Sequence, residues 1–142
     1  MEIIRSWGLL ILAIACLIVI FFMVTNNSLN RLSIESLSGQ WIGKHKNYEI
    51  ILAIKKNNKC SLKFRRFSSN EVENLNGDCI IDNSKKPYSF IMSNIKELNT
   101  SLYSLVSMRN IKYIHMSEFS TKWKLRAVSL TDENTIILRR NI

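Results

Sequence analysis

The stretch Cys60-Ser61-Leu62-Lys63-Phe64-Arg65-Arg66-Phe67 alternates between apolar and polar side chains. Leu62 and Phe64 point one way while Lys63 and Arg65 point the other, which is the period of two expected of a strand with one buried face. The pattern predicts an antiparallel sheet with an apolar inner side.

The same alternation recurs in two further stretches. In the first, Tyr88, Phe90 and Met92 alternate with Ser89 and Ser93. In the second, Trp123, Leu125, Ala127 and Ser129 alternate with Lys122, Lys124 and Arg126. Residues 48–54 are apolar at both odd and even positions, as in a strand that is buried on both faces. Residues 55–59 have the composition of a turn. Residues 131–134 predict a turn before a closing strand at residues 135–140. Short strands at this spacing predict a mainly β domain, an antiparallel barrel or sandwich.

One stretch follows a helical period instead. Ile91, Ile95, Leu98, Leu102 and Leu105 recur at spacings of four and three. Asn94 is a candidate cap with Glu97 three residues later. Because Ser, Asn and Thr fill the intervening positions and have modest helix propensity, we expect at most one short helix here.

The N-terminal segment predicts a membrane anchor. From Trp7 to Val24 the chain has 18 residues without a charge. As a helix this run covers about 27 Å, close to the roughly 30 Å hydrocarbon core of a bilayer. We therefore predict a transmembrane signal anchor at residues 1–25, a tether with a short helix at residues 26–38, and a basic β-rich domain at residues 39–142.

Two other interpretations of this segment fit less well. A cleavable signal peptide has a shorter apolar run, and residues 24–27 offer no small-x-small cleavage site. Cys16 loosely matches a lipidation motif, but Ala13 stands where that motif has Leu. An uncleaved anchor with Cys16 as an ordinary helix residue is favoured.

The flanks of the anchor favour an N-terminus in the cytoplasm. Arg5 and the amino terminus lie on one side of the run and Arg31 on the other, and a short N-terminal tail followed by a long span commonly acts as a signal anchor. The domain is then extracytoplasmic, for example periplasmic.

The domain is strongly basic. The chain has 20 Lys and Arg against 11 Asp and Glu, and removing Arg5 and Glu2 with the anchor leaves 19 against 10. Such a surface favours anionic partners, although an extracytoplasmic domain seldom meets nucleic acid. If the strand ends that carry basic residues cluster at one rim, that rim would contact anionic lipid. The alternative is an evenly solvated surface. The candidate lipid contacts are Lys55, Lys56, Lys59, Lys85 and Lys86.

Cys60 and Cys79 are candidates for a disulfide in an oxidising compartment. Pairing would close 18 intervening residues, worth roughly 3 kcal/mol in the chain-entropy model. A turn near Ser69 would place the two cysteines on neighbouring strands. A turn at Asn76-Gly77, a strong hairpin signal, would put a short strand between them. Both alternatives stay open.

No pattern for catalysis, a metal or a cofactor is found in the sequence. His115 and Glu118 are three apart and would face opposite sides of a strand, so they would not share an ion. His45 lies beside Lys44 and Lys46 and has the setting of a solvated loop residue. We predict a protein that is not an enzyme and uses no cofactor.

Two short stretches carry a family resemblance. Leu37-Ser38-Gly39-Gln40-Trp41 resembles the opening of lipocalin-like, calycin-type barrels, whose first strand often carries Gly-x-Trp, and residues 136–140 look like their final strand with its Arg. The resemblance implies a closed barrel in which Trp41 plugs one end and Arg139 or Arg140 stacks on its face. The alternative for Trp41 is a plain core or interface residue. The candidate interior is Leu62, Phe64, Trp123 and Leu125.

These features predict a membrane-anchored accessory or binding protein that acts on a protein partner at the membrane surface. A second function is binding or transfer of a lipid or small hydrophobic ligand, which needs an open apolar cavity. An enzyme would need a polar cleft containing His45 or His115 with acidic neighbours.

Overall fold

A computed structural model describes the backbone of residues 2–29 and 31–142, with the side chains of residue 8, residues 11–24 and residues 31–142 except Leu125. The chain divides into two compact units, Met1–Arg31 and Leu32–Ile142. The division falls inside residues 26–38, the stretch predicted as tether and short helix.

The first unit is one helix, α1, over Glu2–Leu29, which continues past the boundary predicted at residue 25. Among the residues that the structure describes, no helix combines the length and the apolar character needed to cross a membrane. The transmembrane part of the predicted architecture is not confirmed. The prediction ran from Trp7 to Val24, and the side chains of Trp7, Leu9 and Leu10 lie outside the described residues.

The second unit is a closed barrel of eight antiparallel strands that follows a short helix, α2, at Ile34–Leu37. Each strand pairs with the next, and β1 also pairs with β8, so the mainly β prediction is confirmed in its barrel form. The strands are β1 Gly39–His45, β2 Tyr48–Ile54, β3 Lys59–Arg66, β4 Val72–Asp82, β5 Tyr88–Ser93, β6 Leu102–Asn110, β7 Tyr113–Ser117 and β8 Thr135–Asn141.

The alternation of buried and half-buried side chains along the strands shows where the core lies. In β2 the side chains of Ile50, Leu52 and Ile54 are buried, whereas Ile51 and Ala53 between them are half-buried. The strand thus has one fully buried face rather than the two predicted from its composition. β5 repeats the pattern as predicted.

An up-and-down barrel sends alternate connections to opposite ends. We call one end the base; it holds α2, the end of β8 and the connections at residues 55–58, 83–87 and 111–112. We call the other end the mouth; it holds the connections at residues 46–47, 67–71, 94–101 and 118–134.

The described residues have no helix after Asn94, where at most one short helix was expected. Asn94 has φ 50° and ends β5 in a turn. Its side chain donates to Asp78, and Glu97 accepts hydrogen bonds from the backbone and side chain of Asn76 instead of capping a helix. The spacing of four and three combined two strands and a turn.

The predicted strand at residues 122–129 is wrong. This part of the chain is a mouth connection with a single 3-10 turn at Trp123–Leu125. β8 pairs directly with β7 and β1, so no place in the sheet is left for another strand. Lysines and arginines alternating with Trp123 mark a surface loop in this case.

Cys60 and Cys79 form a disulfide with their Cα atoms 6.0 Å apart. β4 runs unbroken through Asn76-Gly77, so the turn lies at residues 67–71, the first of the two alternatives. Gly77 is needed for a different reason than a turn. A Cβ there would lie 2.4 Å from the carbonyl oxygen of Ser93, so glycine allows β4 and the end of β5 to approach.

The barrel closes where β1 meets β8, with Gln40, Trp41 and Ile42 opposite Asn141, Arg140 and Arg139. Gly43 follows directly. A Cβ at Gly43 would lie 2.2 Å from the carbonyl oxygen of Ile137. The absence of a side chain at this position therefore permits the seam to close.

Gly43→Ala should destabilise the barrel by about 1–3 kcal/mol, since the added methyl forces β8 to shift. Thermal and urea unfolding would measure the change. Gly8→Ala is the matched control, because a Cβ at Gly8 meets nothing within 4 Å, and it should leave barrel unfolding unchanged. An unaltered unfolding midpoint for Gly43→Ala would contradict this account of the seam.

Candidate functional site

Trp41 lies at the base, fully buried, under the guanidinium of Arg140. The Cζ atom of Arg140 is 4.3 Å from the centroid of the Trp41 ring, a cation–π distance. Trp41 Nε1 donates a hydrogen bond of 2.8 Å to the carbonyl oxygen of Leu37 at the end of α2. α2 and Arg140 together close this end of the barrel.

Arg140 also ties three segments together. Its side chain donates to the carbonyl oxygens of Ser36 at 2.7 Å, Ser38 at 2.8 Å and Ile111 at 2.9 Å. Arg139 is exposed on β8. Of the two arginines considered for the stacking role, the structure places Arg140 on Trp41 and Arg139 at the surface.

Side chains fill the barrel interior. Leu62 is fully buried, and Phe64 is half-buried near the mouth. An eight-stranded barrel is just wide enough for side chains to fill. The largest side chains buried to less than 2% exposure are Trp41, Phe90, Leu37, Leu52, Leu62, Met92, Ile114, Met116, Leu138 and Val106.

Trp123, predicted to lie in the interior, is on the surface with 42% of its area exposed. It packs edge-to-face on Tyr103, with ring centroids 5.3 Å apart, and Arg126 Cζ lies 3.5 Å from its ring. Stacking on a cation and an aromatic ring takes the place of burial. The side chain of Leu125, the remaining interior candidate, lies outside the described residues.

A cup of about 330 Å³ opens at the mouth. Phe119, from the connection after β7, packs edge-to-face on Phe64 and Phe90, with centroid distances of 6.0 and 6.4 Å. Tyr48 packs on Phe64 in the same way. The cup is lined by His45, Lys46, Tyr48, Ile50, Phe64, Glu73, Glu118, Phe119 and Ile136.

A charged cluster lies on one side of the cup. His45 Nε2 is 2.8 Å from Glu118 Oε1, and Lys46 also hydrogen-bonds to that carboxylate. The hydrogen bond from Lys46, and then that from His45, lower the pKa of the Glu118 carboxyl below its usual range. Glu118 therefore pairs with His45 rather than with His115, the histidine considered with it from the sequence.

This cluster gives His45 an acidic neighbour, the feature required for the enzyme interpretation. In the described part of the chain, the side-chain hydrogen bond of His45 goes to Glu118 alone, without a hydroxyl or thiol that it could activate. Within the same residues, no three His, Cys, Asp or Glu side chains converge as a metal site. The described residues of the cup can position a ligand at the mouth, and the side-chain partner of His45 among them is the Glu118 carboxylate.

The five lysines predicted as anionic contacts are all exposed and lie at the base or on strands entering it. Lys59 forms an ion pair with Asp78 at 2.6 Å, and Lys59 and then Asn94 lower the pKa of that carboxyl. Lys86 lies 5.8 Å from the centroid of the Tyr88 ring. Lys55, Lys56 and Lys85 extend into solvent from hairpin connections.

Sequence reasoning missed Phe119 and the pairing of Glu118 with His45 at the mouth, and Ile111 at the base. Phe119 and Glu118 lie in the long connection between β7 and β8, and the alternation within that connection predicted a strand at residues 122–129 that the structure does not contain. The tip at residues 111–112 follows Asn110, whose side chain accepts hydrogen bonds from the backbone of Lys112 and Tyr113. An Asn before a tight turn is a usable signal.

The closed eight-stranded antiparallel barrel is compatible with the lipocalin-like resemblance. Comparisons with protein-family models, curated proteins and solved structures give no significant match to this chain. The fold is therefore assigned from the geometry alone.

Arg140→Lys should destabilise the barrel by about 2–3 kcal/mol, because a lysine keeps the charge but cannot replace three hydrogen bonds and a stacked planar guanidinium. Arg139→Lys is the matched control at the adjacent position and should change stability by less than about 0.5 kcal/mol. Urea unfolding followed by Trp fluorescence measures both. Equal effects of the two substitutions would contradict the assignment of the stacking role to Arg140.

Proposed function

We propose that this protein is a membrane-anchored, extracytoplasmic accessory or binding protein whose barrel acts through its outer surface on a protein partner at the membrane. The observation that carries the proposal is the filled interior, with Trp41, Phe90 and Met92 among side chains buried completely. A barrel filled in this way uses its ends and outer face for recognition. We also propose the lipocalin-like assignment for the fold family.

Exposed apolar surface on α1 supports the anchor. Each described side chain from Ile11 to Val24 is apolar and exposed, with the large ones between 50% and 67% exposed. Contiguous apolar surface of this kind marks a membrane or protein interaction site. A single span with the N-terminus in the cytoplasm is the placement that we propose for it.

The disulfide supports an extracytoplasmic barrel. Cys60 is 6% exposed and Cys79 fully buried, so the bond belongs to the core. Disulfides persist in oxidising compartments and are rare in the cytosol. Tethering at the membrane surface would raise the effective concentration of the barrel for a partner there.

The cup at the mouth supports a second function, binding or transfer of a small hydrophobic ligand. Its volume of about 330 Å³ is at the low end of the roughly 300–1,000 Å³ found for small-molecule sites. Phe119 already occupies part of the opening between Phe64 and Phe90. A titration with a fluorescent fatty acid distinguishes the functions, because saturable one-to-one binding would favour this second function over the first.

The anchor is tested by expressing the full chain in cells and washing the membranes with carbonate. We expect the wild type to stay in the membrane fraction and Ile14→Lys with Ile18→Lys to be released, since each central lysine costs roughly 3 kcal/mol in a bilayer. Ile14→Leu with Ile18→Leu is the matched control and should stay. A wild-type chain in the soluble fraction would overturn the anchor.

The same cells test on which side of the membrane the barrel lies. Protease added outside the cytoplasmic membrane should digest the barrel, and Cys60 and Cys79 should resist alkylation until a reductant is added. Protection of the barrel from external protease in intact cells would contradict the extracytoplasmic placement.

A further inference from the structure

The barrel carries its charges asymmetrically. Within the described part of the chain, nine basic residues and three carboxylates lie at the base or on strand ends entering it. The basic residues are Lys55, Lys56, Lys59, Lys85, Lys86, Arg109, Lys112, Arg139 and Arg140, and the acidic ones are Glu35, Asp78 and Asp82.

The mouth is nearly balanced by comparison. The β5–β6 connection bonds back to Asn76 and Asp78 on β4, so its Lys96 and Glu97 are counted at neither end. Around the rim of the mouth, seven basic residues accompany six acidic ones among the described residues. They are Lys44, Lys46, Arg65, Arg66, Lys122, Lys124 and Arg126 with Glu49, Glu71, Glu73, Glu118, Asp132 and Glu133. The excess positive charge of the barrel is therefore concentrated at the base.

Ion pairing strengthens the contrast. At the mouth, Glu118, Glu49 and Glu71 form ion pairs with Lys46, Arg65 and Arg66 respectively. At the base, the ion pair among the described residues is that of Lys59 with Asp78. Six exposed cations of the base form no ion pair within those residues: Lys55, Lys56, Lys85, Arg109, Lys112 and Arg139.

An apolar side chain projects among these cations. Ile111, at the tip of the β6–β7 connection, is 74% exposed and lies two residues after Arg109 and directly before Lys112 in sequence. Its carbonyl oxygen accepts a hydrogen bond from Arg140, which fixes the tip to the base. An apolar residue held among cations fits a bilayer interface, where head groups take the charges and the acyl boundary takes the side chain.

We propose that the base is a docking surface for anionic lipid head groups. The chain enters the barrel unit at this end, through Leu32 and α2. The base is thus the end of the barrel that follows the proposed anchor in sequence, and this step rests on the anchoring proposed above. Docked in this way, the barrel presents its mouth, with the cup and Trp123, away from the lipid and toward a protein partner.

Lysine footprinting of the full chain tests the docking. The protein is reconstituted in phosphatidylcholine vesicles with or without phosphatidylglycerol, labelled with an amine-reactive reagent and analysed by mass spectrometry. Labelling of Lys56, Lys85 and Lys112 should fall at least about tenfold in the anionic vesicles, and high salt should restore it. Labelling of Lys122 and Lys124 at the mouth should not change.

Two matched variants sharpen the test, with the labelling of Lys112 as the readout. Lys56→Gln with Lys85→Gln should weaken docking roughly thirtyfold, about fivefold for each charge near the surface. Lys122→Gln with Lys124→Gln removes the same charge from the mouth and should have no effect. Ile111→Ser should weaken docking without a change in net charge.

The outcomes separate docking from anchoring. Equal labelling of base lysines in both kinds of vesicle would overturn the docking surface and leave the base open to an acidic protein. A chain that floats with anionic vesicles but not with neutral ones, with its base protected, would support docking while overturning the anchor. Equal loss of docking in the two Lys→Gln variants would also overturn the assignment, because it would reduce the effect to net charge.

Discussion

The seam between β1 and β8 is the constraint on which the rest of the barrel depends. Without it the chain would be an open sheet with two unpaired edges, a template for aggregation. Only three residue pairs join the strands, with Trp41 opposite Arg140 in the middle. The stacked guanidinium of Arg140 and its bonds to three carbonyl oxygens stabilise the shortest ladder in the structure. Gly43 provides the close approach that the strands need.

Closure at the base has consequences for the whole surface. Arg140 is used internally, which joins α2 and the β6–β7 tip to the barrel and leaves the neighbouring cations exposed around a rigid end. The mouth differs in character, because Phe119 packs over the core there and three carboxylates form ion pairs with Lys46, Arg65 and Arg66. A filled barrel with one basic and one nearly neutral end has a polarity suited to working between a membrane and a partner. The proposals for function follow from that polarity and from the exposed helix.

Strands β3 and β5 were predictable because one face of each packs on the core, and the alternation of apolar and polar residues follows directly from that packing. The strands at residues 48–54 and 88–93 have the predicted bounds, although residues 48–54 have one fully buried face rather than the predicted two. The alternation at residues 122–129 predicted a strand that does not form, because Trp123 stacks on Arg126 at the surface rather than packing inside the sheet. The turn signal at Asn76-Gly77 failed because a backbone contact with Ser93, rather than a turn, requires that glycine. The charge asymmetry of the two ends could not be predicted, because it depends on which connections share an end.

Native-state hydrogen exchange of the backbone amides tests the closed barrel most directly. The closed seam predicts that amides in residues 40–42 and 139–141 that bond across it exchange as slowly as those between β2 and β3. Exchange of the seam amides and of the amides between β2 and β3 would then require the whole barrel to open. Exchange at the seam that is orders of magnitude faster than at β2 and β3 would show two open edges and contradict the account.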